Sequence, residues 1–583
     1  VSVLTTAQIK ALSNTAVTGL TAGQLGKFDE SQLQALTTGQ IRALSATQLD
    51  ALTTSQIDKL TTLQVSVLNA SQVAALTTSG NTGEVAKLTT AQINALSASA
   101  VTGLTTDQLK VMDADQLKSL TTAQIKSLTT NQITALTSAQ VDKLTSQQMS
   151  VMTASQFTAL VANTAEMRLL STDQIRGLNN AALNGISNTN LQAMKTEQLQ
   201  ALSSAQVKVL TTAQIAALTT LQVEGLGAAQ VSVLSAAQIS AIQTEDLVKL
   251  STDHIASLSK SMVSALTTAQ VANLTASQLG ALNSAQVQGL SVAQVKALTT
   301  AQIDKIGSSQ ISALSATQIS AIESQDIAKM TTAQITALNA TQVRALSSSQ
   351  MVAMTTEQIS KIGSQQMSAM SAVHLSSMQT QDLDNLTEDQ VKNISATALQ
   401  ALTTSQVSSL SATKLAMLTT AQVRALTASQ VKAMNASNLG NLNSGQLAAL
   451  TATQAAVLTT AQISSLSTDQ LAGIANTSVA ALSTSQLAAI DSAKLAKMTS
   501  AQIRAMSTLQ VAALSTTQVG AMTSDQVSAM TAAQIGSLTK GAVAVLRTDA
   551  VASLTVAQAK AFTTAQIAAL TTAQVQQLNT AQM

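Results

Sequence analysis

The 583-residue chain contains no Cys, no Pro, no Trp and no Tyr, and only three Phe; charged residues make up 10% of it. Without Cys, neither disulfides nor thiolate metal centres can stabilise the fold, and two His supply few nitrogen ligands. Thirty Lys and Arg against 28 Asp and Glu leave a net charge of +2, too little over such a length to draw nucleic acid or an anionic membrane. Mean hydropathy is +0.25, yet Thr, Ser or Gln interrupts every few positions, so no apolar run reaches the length of a membrane span and no membrane insertion is expected. The first residues, Val1-Ser2-Val3-Leu4, carry neither the basic start nor the continuous apolar stretch of a signal peptide. Disorder also fits badly, because 45% of the residues are hydrophobic. What these absences leave is an ordered, repetitive protein.

The repeat has a period of eight. Gln falls at 24, 32, 40, 48, 56, 64 and 72, then from 108 to 156, and again in phase from 174 to 582, with Leu or a similar residue four positions earlier. Two slips interrupt the phase, one of four residues around 77–83 and one of two around 161–166, and the total is about 72 octads. Taking Leu120-Thr121-Thr122-Ala123-Gln124-Ile125-Lys126-Ser127 as the specimen and lettering it a to h, a is Leu or Met, b is Ser, Thr or Asn, c and d are small or polar, e is Gln, f is aliphatic, g varies and h is usually Ala. One continuous helix cannot hold this pattern, since the apolar positions would precess by about 80° per octad. A β-solenoid is the rival reading, because Thr, Val and Ile favour strands. Against it, a and f have opposite parity and would point to opposite faces of a strand, and no fixed Gly, Asn or Asp marks a tight corner.

Positions b and e form a capping box. Thr121 at the N-cap accepts from the amide of the third helical residue, while the Gln124 side chain reaches back to the N-cap amide. Leu120 and Ile125 then stand as the hydrophobic staple across the same helix start. Every octad therefore encodes a helix start, and the next comes before two turns are complete. Asp107, Asp115, Asp173, Asp253, Asp469 and Asp525 at d, with Lys10, Arg42, Lys59, Lys118, Lys126, Arg176 and Arg344 at g or h, suit the helix dipole; Asp50, Asp58, Asp142 and Asp304 at g oppose it.

Helices this short are unstable alone, so stacking must hold them, with f and the following a forming an axial core and Ala at h permitting close approach. The expected fold is an all-α solenoid of about 72 very short helices, continuous over residues 1–583, with irregular repeats near 77–88, 160–170 and 178–194. No longer period is evident, so the number of octads per coil stays open; three per coil would give a rod on the order of 200 Å.

Chemistry is sparse. His254 and His374 both replace Gln at e and are expected to cap helices; Met112, Met152, Met330, Met354, Met370 and Met378 at a, and Phe28, Phe157 and Phe562 at a or f, are expected in the core. The acidic stretch 379–389, with Asp382, Asp384, Glu388 and Asp389, is the nearest approach to a cation site, although a solvated face explains it better. No phosphate loop, paired-carboxylate site or nucleophile elbow is present, so no enzymatic activity, cofactor or bound metal is expected.

Runs such as Leu128-Thr129-Thr130-Asn131-Gln132-Ile133 and Leu570-Thr571-Thr572-Ala573-Gln574-Val575 resemble the Thr/Ala/Gln-rich octad arrays of large secreted or cell-surface proteins of Gram-negative bacteria, of adhesin and surface-filament type. The resemblance covers essentially the whole chain. It implies an extracellular or cell-surface structural or adhesive role, by secretion without a cleaved signal, although the calcium-repeat tail often found on such proteins is absent. The function expected is an elongated rod, filament, sheath or surface-layer element, or the stalk of an adhesin, self-associating end to end or laterally as a homo-oligomer. The alternative is a surface-binding module for a cell-surface glycan, ice or a protein partner.

Overall fold

In the computed structural model, residues 1–77 and 83–583 are described. Among them the backbone forms 71 helices of four to seven residues and no strand. The fold is an all-α solenoid, and the β alternative falls with the absence of any ladder in the described residues. The chain divides into two compact units, Val1–Ala297 and Leu298–Met583, built on the same plan.

Most octads fold as the capping box dictates. In the helix Thr122–Ser127, Thr121 is the N-cap at φ −67°, ψ 160°; Gln124 N–H donates to Thr121 Oγ1 at 3.2 Å, and Thr121 N–H donates to Gln124 Oε1 at 2.6 Å. At the other end Leu128 is extended, at φ −56°, ψ 137°, and its N–H donates to the carbonyls of Gln124 and Ile125. The next N-cap, Thr129, is extended as well, at φ −74°, ψ 160°. Two extended residues, a and b, thus make the corner, and six helical residues rising about 9 Å make the side. Both corner amides donate, so proline is excluded from a and b on hydrogen-bonding grounds.

Burial follows the lettering. Ile125 at f is 0% exposed, and Leu120 and Leu128 at a are 3% each. The six Met at a and Phe28, Phe157 and Phe562 are buried with them. A Leu or Ile fully withdrawn from water contributes about 1.5–3 kcal/mol, and with two such residues per octad this burial is what a one-turn helix lacks in isolation.

Coil follows coil at a spacing that the octad does not divide. Ser127 Oγ donates to the carbonyl of Ala98, 29 residues back, at 2.8 Å, while Gln124 reaches Ile93 and Leu96, 31 and 28 residues back. The helix Thr122–Ser127 therefore lies across the corner between Thr90–Ala95 and Ala98–Val101. Away from the phase slips, bonds between coils span 25 to 31 residues, and each helix packs against the third helix before it, as Thr122–Ser127 does against Ala98–Val101. Position h meets the first helical turn of the coil before. A Cβ on Gly103 would lie 2.0 Å from the Ala70 carbonyl oxygen, and one on Gly177 2.3 Å from that of Ser146. Contact thus requires Gly at these two h positions, whereas Lys59, Lys143 and Lys305 occupy h in other octads.

The stretches at 160–170 and 178–194 remain helical, as Thr164–Leu169, Asn180–Asn184 and Asn188–Ala193. Of the stretch at 77–88, residues 78–82 lie outside the described residues; Glu84–Lys87 is a helix. Three of the four Asp residues that oppose the dipole are locally compensated: Asp58, Asp142 and Asp304 pair with the Lys that follows each, at 3.8, 2.7 and 2.9 Å, whereas Asp50 is followed by Ala51. Such exposed pairs contribute at most about 1 kcal/mol. No helix among the described residues is long and apolar enough to cross a membrane.

Candidate functional site

The chemistry that recurs through each unit is the side-chain amide at e. Gln124, 1% exposed, uses both ends of its amide. Oε1 accepts from the N-cap amide of its own helix, and Nε2 donates to Ile93 O at 2.8 Å and Leu96 O at 2.7 Å in the preceding coil. The two carbonyls belong to positions f and a, the last turn and corner of a helix; Ile93 O accepts the Leu96 N–H at 3.3 Å, and Leu96 O accepts no backbone N–H. One residue type thus serves a donor at its own helix start and acceptors at the helix end below. The same bonds recur from Gln32, which reaches Leu4 O at 2.8 Å, within the first unit, and to Gln574, which reaches Leu546 O at 2.7 Å, within the second. They form a ladder parallel to the stack. Each neutral rung is worth about 0.5–1.5 kcal/mol, and leaving buried carbonyls unmet costs more.

Sequence reasoning located the capping half of this site at Thr121 and Gln124 and placed the staple residues Leu120 and Ile125 in the core. It missed the donor half. The signal was present: a capping box accepts Glu as readily as Gln, yet e is Gln almost throughout. An amide can accept upward and donate downward at once, and an ionised carboxylate cannot.

Where e departs from Gln, His, Asn, Ser or Lys keeps a donor in a minority of octads, and Ala, Met, Asp or Glu supplies none in the others. His254 accepts the Ser251 amide on Nδ1 at 3.0 Å and donates from Nε2 to Leu226 O at 2.7 Å, and His374 does the same with Ser371 and Leu346. The two contacts require the neutral Nε2–H tautomer. The histidines cap, as expected, and they also form rungs. Asn190, Asn438, Ser478 and Lys414 each donate to a carbonyl of the coil before, Asn438 to Leu410 and Ser478 to Leu450 at 2.7 Å each. Ala182 has nothing to give, and there the N-cap takes over: Asn179 accepts from Ala182 N–H and donates to Ser150 O and Met152 O at 2.8 Å each. The apparent loss of pattern near 178–194 is therefore a change of donor.

Asp at e reverses the polarity of the link. Asp246 and Asp382 are buried and accept from the hydroxyls of Thr220 and Thr356, 26 residues back, at 2.6 Å each. Asp326 is buried in the same register, where burial raises its carboxyl above the ordinary range against the pull of a hydrogen bond from Thr300. In all three octads b is Gln or Glu and makes no side-chain cap.

The acidic stretch 379–389 does not converge. Asp382 faces Thr356, Asp384 accepts the amide of Ser411 at 3.0 Å, and Glu388 pairs with Lys392 at 2.5 Å. The reading of these four as a solvated face is corrected for Asp382, which is 2% exposed because it occupies e. Among the described residues no group of three or more His, Asp or Glu is placed to hold a metal ion. A shallow groove of about 530 Å³ is bordered by Ser259, Lys260, Ser261, Ser264, Gln288 and Gly289.

A family model for the ALTTAQ repeat matches residues 25–62, 110–146, 186–220, 239–276, 276–305, 319–356, 495–532 and 510–540. The chain is a Thr/Ala/Gln-rich repeat array. The matched stretches together cover less than half of it, and short helices continue through the octads between them. No curated protein matches the chain.

Proposed function

We propose that this repeat array is a structural protein of the cell surface or extracellular space, serving as a filament, sheath or surface-layer element or as the stalk of an adhesin. The observation that carries the reading is the ladder. Each coil presents the f and a carbonyls that the Gln residues of the next coil require, so the stack has no intrinsic length and grows by adding octads. Residues go into caps, core and rungs, which leaves little of the octad for a binding or catalytic site. A net charge of +2 opposes close packing of like chains only weakly. Bacterial surface location rests on the resemblance of the octads to secreted arrays.

Electron microscopy of the purified full chain tests the proposal. Ordered end-to-end or lateral assemblies are expected; dispersed single particles at every concentration, with retention on a glycan array, would overturn it in favour of a binding module.

A further inference from the structure

The rungs around the first phase slip run in strict order. Gln64 reaches Leu33 and Leu36, Gln72 reaches Ile41 and Leu44, and Gln92 reaches Ile57 and Leu60. The carbonyls of Leu49 and Leu52 are the pair between, and the residue whose register faces them is Glu84. It is 2% exposed, and its Oε2 accepts the Thr77 N–H at 2.8 Å, as the Gln Oε1 does in an ordinary box. By the order of the neighbouring rungs, its other oxygen stands in the register where Gln carries the amide nitrogen. An ionised carboxylate there has nothing to donate; a protonated one has a single O–H in the position of a rung.

We infer that Glu84 is a proton-operated link between coils, closed when its carboxyl is protonated and open when it is ionised, so that the seam at the first phase slip loosens as the proton leaves. The energetics agree with the geometry. Burial pushes the Glu84 carboxyl up to about 7, the Thr77 amide and, less strongly, the Thr77 hydroxyl pull it down, and Asp50 adds to the rise. The other charges nearby are accounted for. The helix Glu84–Lys87 packs against Thr54–Ile57, followed by the Asp58–Lys59 pair, and against Thr106–Val111, where Asp107 and Lys110 pair with each other at 3.2 Å. Lys87 lies one turn along the same helix, and residues 77–83 contain no titratable side chain. A carboxyl raised in the folded state contributes stability that is complete below its ordinary value of 4.5 and is lost as pH climbs through about 7. The second slip also carries Glu at e: Glu166, partly exposed, has a buried Oε2 without a hydrogen-bond partner.

Hydrogen exchange of the full chain tests the link. After correction for the intrinsic pH dependence of exchange, protection of the amides at 84–88 is expected to fall about tenfold or more between pH 5 and pH 8, while the helix Thr122–Ser127 stays level. Glu84→Gln should give protection at pH 8 as high as the parent shows at pH 5, with the slope abolished. Glu84→Ala should be weakly protected at both values, again without slope. A flat profile in the parent, or a slope that survives in either variant, would overturn the inference.

Discussion

Replacing Gln124 by Glu separates a capping residue from a rung. The substitution keeps the box, since the carboxylate still accepts the Thr121 amide, and it places negative charge at a helix N-terminus, which is worth about 0.3–1 kcal/mol in its favour. A residue that only capped would therefore tolerate the change. In the ladder, Gln124→Glu removes two donated bonds, to Ile93 O at 2.8 Å and Leu96 O at 2.7 Å, and turns an oxygen toward both carbonyls at a site 1% exposed. Two bonds at about 1 kcal/mol each, and an unmet buried acceptor at about 1–3 kcal/mol, outweigh the dipole gain and leave a loss of about 3 kcal/mol. Because a stack of repeats does not unfold as one two-state unit, the assay is native-state hydrogen exchange of the full chain. A loss of about 3 kcal/mol appears as a roughly 150-fold fall in protection of the amides at 122–128 at pH 8, partly recovered at pH 4 as the new carboxyl gains a proton. Unchanged or increased protection at pH 8 would refute the ladder and leave capping alone.

Other substitutions probe the remaining positions, each read as a change in local exchange protection. Gly103→Ala sets a methyl 2.0 Å from the Ala70 carbonyl and should cost about 1–3 kcal/mol, whereas Gly23→Ala at d meets nothing within 4 Å and should gain about 1 kcal/mol. Thr122→Pro enters the first helical position, where no intrahelical bond is lost, and should be neutral or slightly stabilising; Ile125→Pro deletes the amide bond to Thr121 O at 2.9 Å and should cost about 3 kcal/mol or more. Asp326→Asn removes a buried carboxyl whose affinity for the proton is raised, so it should increase protection around 324–327 at pH 8 more than at pH 4; equal effects at both values would count against that assignment.

The octad made most of this fold legible. Ser or Thr at b, Gln at e and apolar residues at a and f specify a helix start that needs no distant information, and the helices begin where Thr121 and Gln124 say they should. What stayed hidden was the relation between coils. Gln124 faces a helix end 28 residues back while Ser127 faces a helix start 29 residues back, and neither separation is a multiple of eight. The absence of proline is explained in part: the amides at a and b are engaged, but nothing in the hydrogen bonding excludes proline from c. Near 178–194 the pattern seemed to dissolve because identity was read at e alone, while Asn179 at b had taken over the link.

Exchange of the Gln side-chain amides bears most directly on the ladder. In the full chain labelled with nitrogen-15 at Gln, magnetic resonance should divide the carboxamides into two classes. The Nε2 protons of the buried rungs, Gln124 among them, should exchange slowly, and those of exposed residues such as Gln147 and Gln576 at the rate of free amide. Uniformly fast side-chain exchange in a chain that remains helical would show that Gln caps each helix and binds nothing in the coil before.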